Sequence, residues 1–353
     1  MLGLCGLFAV FCLHFPELLT TAELRRVYSM GLVRAAIQGA IGLAFLLGLI
    51  SAWLRRRKVL GFTGMALAVG ASLLGGSEVP VGGALAAGPA FGLDWFVLNL
   101  LLLAVLFVPM ERLFPQWPKQ GTFRPGWTID TLYFFSSHLL VQMSTFLTLT
   151  PAHTLFQWAA RPEIQLAIAR QPLLLQLAEV VIVADLTEYF VHRLFHRIPW
   201  LWRFHAVHHS SRAMDWLAGS RLHIVDIVVT RGLTFVPLHA LGFAPPAVYA
   251  YLVFVSFHAV FIHANVRFRF GVLEDLVVVP RFHHWHHATA PVDKNFAVHL
   301  PWIDRLFGTH HCPPEWPAEY GIEGDPVPEG YLAQWSYPLA ATSAWRSPEG
   351  KRP

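Results

Sequence analysis

Long apolar runs determine the predicted outline of this chain. They cover approximately residues 32–54, 59–76, 93–110 and 128–150. Because a helix rises about 1.5 Å per residue, about 20 residues cross the roughly 30 Å hydrocarbon layer of a bilayer. Each run is long enough, or nearly long enough, to predict a membrane-spanning helix.

Residues 173–191 are also apolar, but three acidic residues interrupt them: Glu179, Asp185 and Glu188. Ionisable groups in such a segment are expected to face the protein interior and not lipid. Asp185, Glu188 and His192 follow the spacing i, i+3, i+7, so they share one face of a helix. The pattern predicts a helix whose polar face is turned inward.

Residues 224–263 are apolar with proline breaks at Pro237 and at 244–246, which predicts a hairpin of two helices. Residues 14–30 mix polar and apolar positions and predict a helix lying at the membrane interface. The segment 77–92 is rich in glycine and proline and predicts a connection.

Composition agrees with a membrane protein. The 353 residues are 55% hydrophobic and only 14% charged, with a net charge of +4. The basic residues 55–58 lie between two apolar runs, as in a cytoplasmic loop under the positive-inside bias. No basic run interleaved with aromatic residues is present, so nucleic acid is not an expected partner. The three cysteines include no CxxC, which excludes a cysteine-rich zinc or iron–sulfur site.

Histidines are concentrated in one region: residues 192–287 hold 13 of the 19. They form HRLFH at 192–196, HAVHH at 205–209 and HHWHH at 283–287. On a helix, residues spaced i, i+3 and i+4 lie on one face, so each motif can present its imidazoles together. Pro199 is expected to break the helix between the first two motifs, and Pro280 to begin the helix of the last.

The number of imidazoles predicts two metal ions, because a catalytic zinc usually takes only three protein ligands. Imidazole suits zinc, copper, iron and nickel alike. A zincin protease needs HExxH, but Arg193 occupies the second position here. Haem takes one axial histidine per face, and a transporter is expected to place its ligands inside the spans. What remains is a di-iron centre that activates O2 to attack a lipid C–H bond.

The ordered motifs resemble those of the fatty acid hydroxylase/sterol desaturase superfamily. They read DLTEYFVHRLFH, LWRFHAVHHSS, FIHANVR, PRFHHWHHA and KNFAVHLPWIDRLFGT, within residues 91–310. The resemblance implies an all-α integral membrane protein whose transmembrane hairpins lie beneath a cytosolic helical cap holding two metals. The implied ligands are His192, His196, His205, His208, His209, His263, His283, His286 and His287.

Other residues near these motifs are candidates for supporting roles. His258 is a further candidate ligand, although five residues separate it from His263 where the fatty acid hydroxylases have HxxxH. Ligating histidines usually donate their other N–H to a carboxylate or carbonyl. Candidates for contacts of this kind around the metals are Asp185, Glu188, His223, His284 and Asp304.

The resulting hypothesis divides the chain into three parts. Residues 1–90 form an accessory membrane segment with an interfacial helix and two spans, residues 91–310 the catalytic domain, and residues 311–353 a proline-rich tail. The expected location is a bacterial inner membrane, with the metals on the cytoplasmic side. The oligomeric state is left open.

The expected activity is O2-dependent hydroxylation or desaturation of a lipid, such as a sterol or fatty acyl chain, at two iron ions; zinc is a candidate substitute in purified protein. Because the sequence has no GxGxxG signature and no cysteine cluster, electrons must come from a ferredoxin, cytochrome or reductase. The alternatives are an oxygenase of ether lipids, carotenoids or aldehydes, and a non-catalytic metal-binding or transport protein.

Overall fold

The computed structural model describes residues 1–21, 25, 29–56, 58–81, 92–139, 154–324 and 326–340, with the backbone alone for 138–139. Its elements within these ranges are α-helices and short 3₁₀ helices, with one isolated β-bridge between Ala288 and Tyr320. The prediction of an all-α protein is therefore confirmed. The chain divides into two compact units, Met1–Leu106 with 138–143, and Phe107–Ser137 with 144–353.

The first unit is built on a helical hairpin. Its helices are α1 (Leu2–His14), α2 (Pro16–Leu19), α3 (Met30–Leu54) and α4 (Val59–Leu73). A Cβ atom at Gly48 would lie 2.8 Å from the Gly61 carbonyl oxygen, and one at Gly61 would lie 2.7 Å from that of Gly48. The two glycines thus let the backbones of α3 and α4 approach closely, as small residues do between membrane helices. Of the predicted interfacial helix at 14–30, α2 falls in the described part, whereas 22–24 and 26–28 lie outside it.

The second unit holds the histidine motifs. Helix α5 (Leu93–Leu113) enters it at Phe107, and the helices that follow are α6 (Trp127–Leu139), α7 (Pro162–Ala169), α8 (Leu173–Arg197), α9 (Pro199–His209), α10 (Ile224–Leu241), α11 (Pro245–Phe261), α12 (Pro280–His286), α13 (Pro301–Leu306) and α14 (Tyr331–Ser336). Helices α8, α10 and α11 share a core that includes Val180, Leu238 and Ala247. This three-helix core supports the end of α8 that carries His192 and His196.

Within the described part of the chain, four helical segments are long and apolar enough to cross a membrane: Met30–Leu54, Val59–Glu78 (α4 with the 3₁₀ turn that follows it), Leu93–Leu113 and Ile224–Leu241. They confirm the prediction of an integral membrane protein. The span predicted at 128–150 is described only as far as the end of α6 at Leu139, and residues 140–153 lie outside the described part.

Proline positions set most of the helix boundaries in the second unit. Helix α8 ends at Arg197 and α9 begins at Pro199, while α12 begins at Pro280, so both predicted boundaries are confirmed. The break predicted at Pro237 was wrong: that residue lies inside α10. Membrane helices tolerate proline when neighbouring groups satisfy the freed carbonyl. The break predicted at 244–246 is confirmed, because α10 ends at Leu241 and α11 begins at Pro245. The turn between them starts at Gly242, which has the left-handed φ of 71° that glycine adopts without steric cost.

The segment after residue 310 packs against the helix of the HAVHH motif. Val327 and Tyr337 join a core with Tyr133, Ala206 and Val207. As far as residue 340, the proline-rich tail is thus part of the folded unit that holds the histidines.

Candidate metal centre

All nine histidines that the resemblance implies as ligands lie in two adjoining groups. The first contains His192, His196, His205, His209 and His286, and the second contains His208, His263, His283 and His287. Within each group, the candidate ligand atoms lie within 4.8 Å of one another. The rings of His209 and His287, one from each group, are stacked with centroids 4.5 Å apart.

Three helices supply seven of these side chains. The i, i+4 spacing of His192 and His196 directs both imidazoles from the end of α8, and the HAVHH motif does the same from α9. Helix α12 supplies His283 and His286, with His287 at its C-cap, and His263 follows the end of α11. The breaks at Ile198 and Val279 turn these helix ends toward one another.

Hydrogen bonds determine which nitrogen of His208 and His263 carries the proton. His208 Nδ1 lies 3.1 Å from the Arg221 carbonyl oxygen, and His263 Nδ1 lies 2.6 Å from that of Ala259. A carbonyl only accepts, so both Nδ1 atoms must donate, and a neutral imidazole then has a bare lone pair on Nε2. The two Nε2 atoms are nevertheless 3.3 Å apart. Two lone pairs that face each other repel, so this pair is suited to bind a cation that lies between the two nitrogens.

The first group repeats this arrangement. His192 Nδ1 donates to the Phe296 carbonyl oxygen at 2.8 Å, and His205 Nδ1 donates to Asp226 Oδ2 at 2.6 Å. Their Nε2 atoms are 3.0 Å apart. His286 Nδ1 donates to the Lys294 carbonyl oxygen at 2.8 Å, and its Nε2 has no hydrogen-bond partner within the described part of the chain.

These distances fit shared metal ions. Two nitrogens that bind one ion at about 2.1 Å, with an angle between 90° and 109° at the metal, lie about 3.0 to 3.4 Å apart. The Nε2 pairs of both groups, including His263 with His283 at 3.1 Å, fall in this interval. The donor set is entirely imidazole, which suits iron, zinc and copper.

Burial keeps the imidazoles of the two histidine groups neutral and therefore able to bind metal. It lowers the pKa of His208, His209, His286 and His287 well below the ordinary value, and the neighbouring imidazoles lower it further. For His263, burial lowers the pKa to about 4. Since only the neutral ring offers a lone pair, the site is ready to bind metal at neutral pH.

Comparison with known proteins identifies the family. The model of the fatty acid hydroxylase family matches residues 177–309. The ornithine lipid hydroxylase of Rhizobium tropici is 31% identical over 258 residues, which cover 70% of this chain and 76% of that protein. The chain belongs to the fatty acid hydroxylase family.

Other members of the family match over shorter stretches. Human alkylglycerol monooxygenase is 34% identical over 128 residues, and the fatty acid hydroxylase vlmA of Lecanicillium is 33% identical over 149. These matches span 28% and 40% of the two relatives. No solved structure matches the chain. Family membership confirms the prediction of an oxidoreductase that acts on a lipid.

Two of the predicted supporting residues hold a loop beside the histidine groups and do not contact a candidate ligand directly. Asp185 accepts hydrogen bonds from the backbone N–H groups of 298–300, and Asp304 accepts from those of Phe296 and Ala297. Because the Phe296 carbonyl binds His192, the two carboxylates act on the site through this loop.

The remaining candidates lie outside both histidine groups. His258 donates to the Val278 carbonyl oxygen and contacts His299, so the structure does not bring it to the ligand set. His223 accepts from Val225 N at the start of α10. His284 contacts the His263 carbonyl oxygen at 3.2 Å and the Tyr320 hydroxyl at 2.9 Å. Glu188 Oε2 lies 4.0 Å from His299 Nε2.

The sequence interpretation missed Asp226, the carboxylate that contacts a candidate ligand most directly. It lies in the first turn of α10, 5% exposed, and its Oδ2 holds His205. The available signal was an acidic residue at the start of an apolar span, three residues after His223. A second missed feature is the ion-pair network of Arg221 with Asp130 and of Asp130 with Arg124, which fixes the segment whose carbonyl holds His208.

Proposed function

We propose that this protein is a membrane-bound di-iron oxygenase that hydroxylates a lipid bearing a polar headgroup. One observation carries the proposal: in each histidine group, two buried imidazoles held by acceptors on Nδ1 turn bare Nε2 atoms toward each other, at 3.0 and 3.3 Å. This arrangement supports two bound cations, and the family supports iron and O2.

The two histidine groups are assigned one iron ion each. His192, His196, His205, His209 and His286 would hold the first, and His208, His263, His283 and His287 the second. When bound, such a centre supplies O2 activation and C–H cleavage. The protein contributes orientation: acceptors on Nδ1 fix the tautomers of His192, His205, His208, His263 and His286. Support of this kind typically changes metal affinity 10- to 100-fold.

The overall reaction converts R–H, O2, two electrons and two protons into R–OH and water. We assign the electrons to a separate ferredoxin, cytochrome or reductase, because the sequence contains no nicotinamide or flavin signature and no CxxC. The burial of the histidines excludes bulk water from the site and thereby protects against unproductive loss of oxidising equivalents.

An ornithine lipid is the first candidate substrate, because the relative with that activity aligns over 76% of its own length. An alkylglycerol lipid is the second candidate, from the shorter match to the human monooxygenase. We assign the protein to a bacterial inner membrane with its metals on the cytoplasmic side. The basic residues Arg55 to Lys58, between the first two spans, support this orientation.

Lipid mass spectrometry tests the activity. The gene is expressed in a bacterial host that makes ornithine lipid, and lipids gaining 16 mass units are expected with the wild type. His208→Ala and His286→Ala, one variant from each histidine group, are expected to abolish this product. The exposed His14 provides the control, since His14→Ala should leave the product in place. Loss of two mass units would indicate desaturation, and unchanged lipids with iron-loaded protein would contradict the proposal.

A further inference from the structure

A third group of buried polar side chains lies outside the two histidine groups. Glu188 precedes His192 by four residues on α8, so it lies about 6 Å along the helix axis on the same face. It faces His299, in the loop that Asp185 holds, and His299 contacts His258 of α11. None of these three side chains belongs to either histidine group.

The hydrogen bonds of His258 assign the tautomer of His299. His258 Nε2 lies 2.9 Å from the Val278 carbonyl oxygen and must donate to it. Its Nδ1 is then a bare acceptor, 3.0 Å from His299 Nδ1. His299 therefore carries its hydrogen on Nδ1 and has a lone pair on Nε2.

That lone pair has no hydrogen-bond partner among the described residues, although the His299 side chain is 0% exposed. Across from it, 4.0 Å away, lies Glu188 Oε2. An ionised Glu188 accepts at this atom, as His299 Nε2 does, and the distance is too long for a direct hydrogen bond. One donor atom about 2.8 Å from each would bridge them at an angle of about 90°. The gap therefore fits a group that has at least two N–H or O–H hydrogens.

The surroundings favour a charged donor. The Glu188 side chain is 12% exposed, whereas that of His299 is fully buried. The rings of Phe254 and Tyr251 flank His299, with centroids 5.1 and 5.9 Å from its ring. An ionised carboxylate and an imidazole lone pair that face one gap form a site that suits a primary ammonium group.

We propose that Glu188 and His299 bind the primary ammonium group of an amino-acid lipid headgroup. This inference rests on the proposed function. It identifies the headgroup ammonium as the part of the substrate that Glu188 and His299 recognise. With the ammonium group one helical turn from His192, the headgroup end of the lipid lies near the histidine groups. The oxidised carbon is then in or next to the headgroup, and not far along an acyl chain.

Glu188→Gln tests this assignment, because the glutamine amide can donate directly to His299 Nε2 and close the gap. We expect the variant to keep two metals per chain and to unfold at the same or a higher temperature. Its affinity for ornithine lipid in detergent micelles, measured by calorimetry, should fall at least tenfold. Its affinity for an alkylglycerol lipid, which has no amine, should stay unchanged.

Glu179→Gln is the matched control, since Glu179 lies on the same helix and accepts from Gln171. It should bind both lipids as the wild type does. Glu188→Asp keeps the charge at a longer distance and should bind ornithine lipid with intermediate affinity. This variant provides the test if Glu188→Gln fails to fold.

Wild-type affinity for ornithine lipid in both Glu188 variants would overturn the inference, as would an equal loss for the two lipids. Wild-type affinity for ornithine lipid in both variants is the result expected if the gap holds only a bound water. The proposed function fails separately: a wild-type protein that binds ornithine lipid through Glu188 but oxidises no lipid would retain this site and refute the oxygenase.

Discussion

At the scale of single residues, the side chains and carbonyls that hold the imidazoles matter as much as the imidazoles themselves. Asp226 fixes His205, and backbone carbonyls fix His192, His208 and His263. Each of these bonds removes a rotamer and a tautomer that would otherwise compete with metal binding. Tuning of metal affinity is therefore expected outside the ligand set.

Asp226→Ala is the direct test of this support. Without the carboxylate, His205 can rotate and change tautomer, so the metal affinity of the first group should fall about 10- to 100-fold. Iron retained after dialysis against a graded chelator series measures the change. Asp275→Asn, at an exposed ion pair with Arg305, is the control and should retain iron like the wild type. Equal retention in the two variants would contradict a supporting role for Asp226.

Gly219 offers a second test at the residue scale, because it lies against His263. A Cβ there would be 2.9 Å from His263 Nδ1 and 3.2 Å from the Ala259 carbonyl oxygen, the two atoms of one hydrogen bond. Gly219→Ala should displace the ring and lower iron content from two ions toward one per chain. Gly232→Ala, with nothing within 4 Å of the added Cβ, should keep both ions.

The i, i+3, i+4 spacing within the histidine motifs predicted that their imidazoles share helix faces. The full set of nine, with His263, which has no such spacing, came from the resemblance to the family. The sequence did not predict most of their acceptors, because these are main-chain carbonyls such as those of Phe296 and Ala259, which no residue type marks. The spacing of Asp185 and Glu188 on one helix face predicted that both carboxylates contact the ligands around the metals. In the fold, Asp185 holds a loop instead, because that loop returns across the end of α8.

At the scale of elements, a buried ion-pair network fixes the segment between α9 and α10. Asp130, on α6, bridges Arg221 and Arg124, with side-chain exposures of 0%, 5% and 2%. Asp215 also binds Arg124, and its Oδ1 accepts from Leu217 N and Ala218 N. This network keeps the Arg221 carbonyl in place for His208.

Asp130→Asn should therefore affect both stability and metal binding. Breaking a buried ion pair by removing one partner typically costs about 3–5 kcal/mol. We expect a clear fall in the unfolding temperature, with iron lost first from the second histidine group. Differential scanning calorimetry and iron analysis on the same sample measure the two effects. A destabilised variant that keeps both irons tightly bound would show that the network does not act on the site.

The helix order was predictable where proline starts an element, as at Pro199 and Pro280. It was not predictable at Pro237, because an apolar sequence around a proline looks the same whether the proline lies inside a membrane helix or ends it. The break falls five residues later at Gly242, where the backbone takes a left-handed conformation. The packing of Val327 and Tyr337 onto α9 was equally hidden, since a proline-rich segment carries no helical period.

At the scale of the whole molecule, metal should contribute to folding. In the metal-free protein, bare imidazole nitrogens face one another in a buried site, and several side-chain nitrogens there lack hydrogen-bond partners within the described residues. Binding to the folded state alone stabilises a protein in proportion to the logarithm of ligand concentration over Kd. Chelation in detergent should therefore lower the unfolding temperature, and Fe²⁺ added without oxygen should restore it. An unfolding temperature that does not respond to iron would contradict this expectation.

The central claim is that two iron ions occupy the two histidine groups. Mössbauer spectroscopy of protein loaded with ⁵⁷Fe, combined with iron analysis per chain, tests it most directly. The proposal predicts two irons per chain in nitrogen-rich sites, reduced to one iron per chain by His283→Ala. A single isolated iron in the wild type, or two irons unaffected by that substitution, would contradict it.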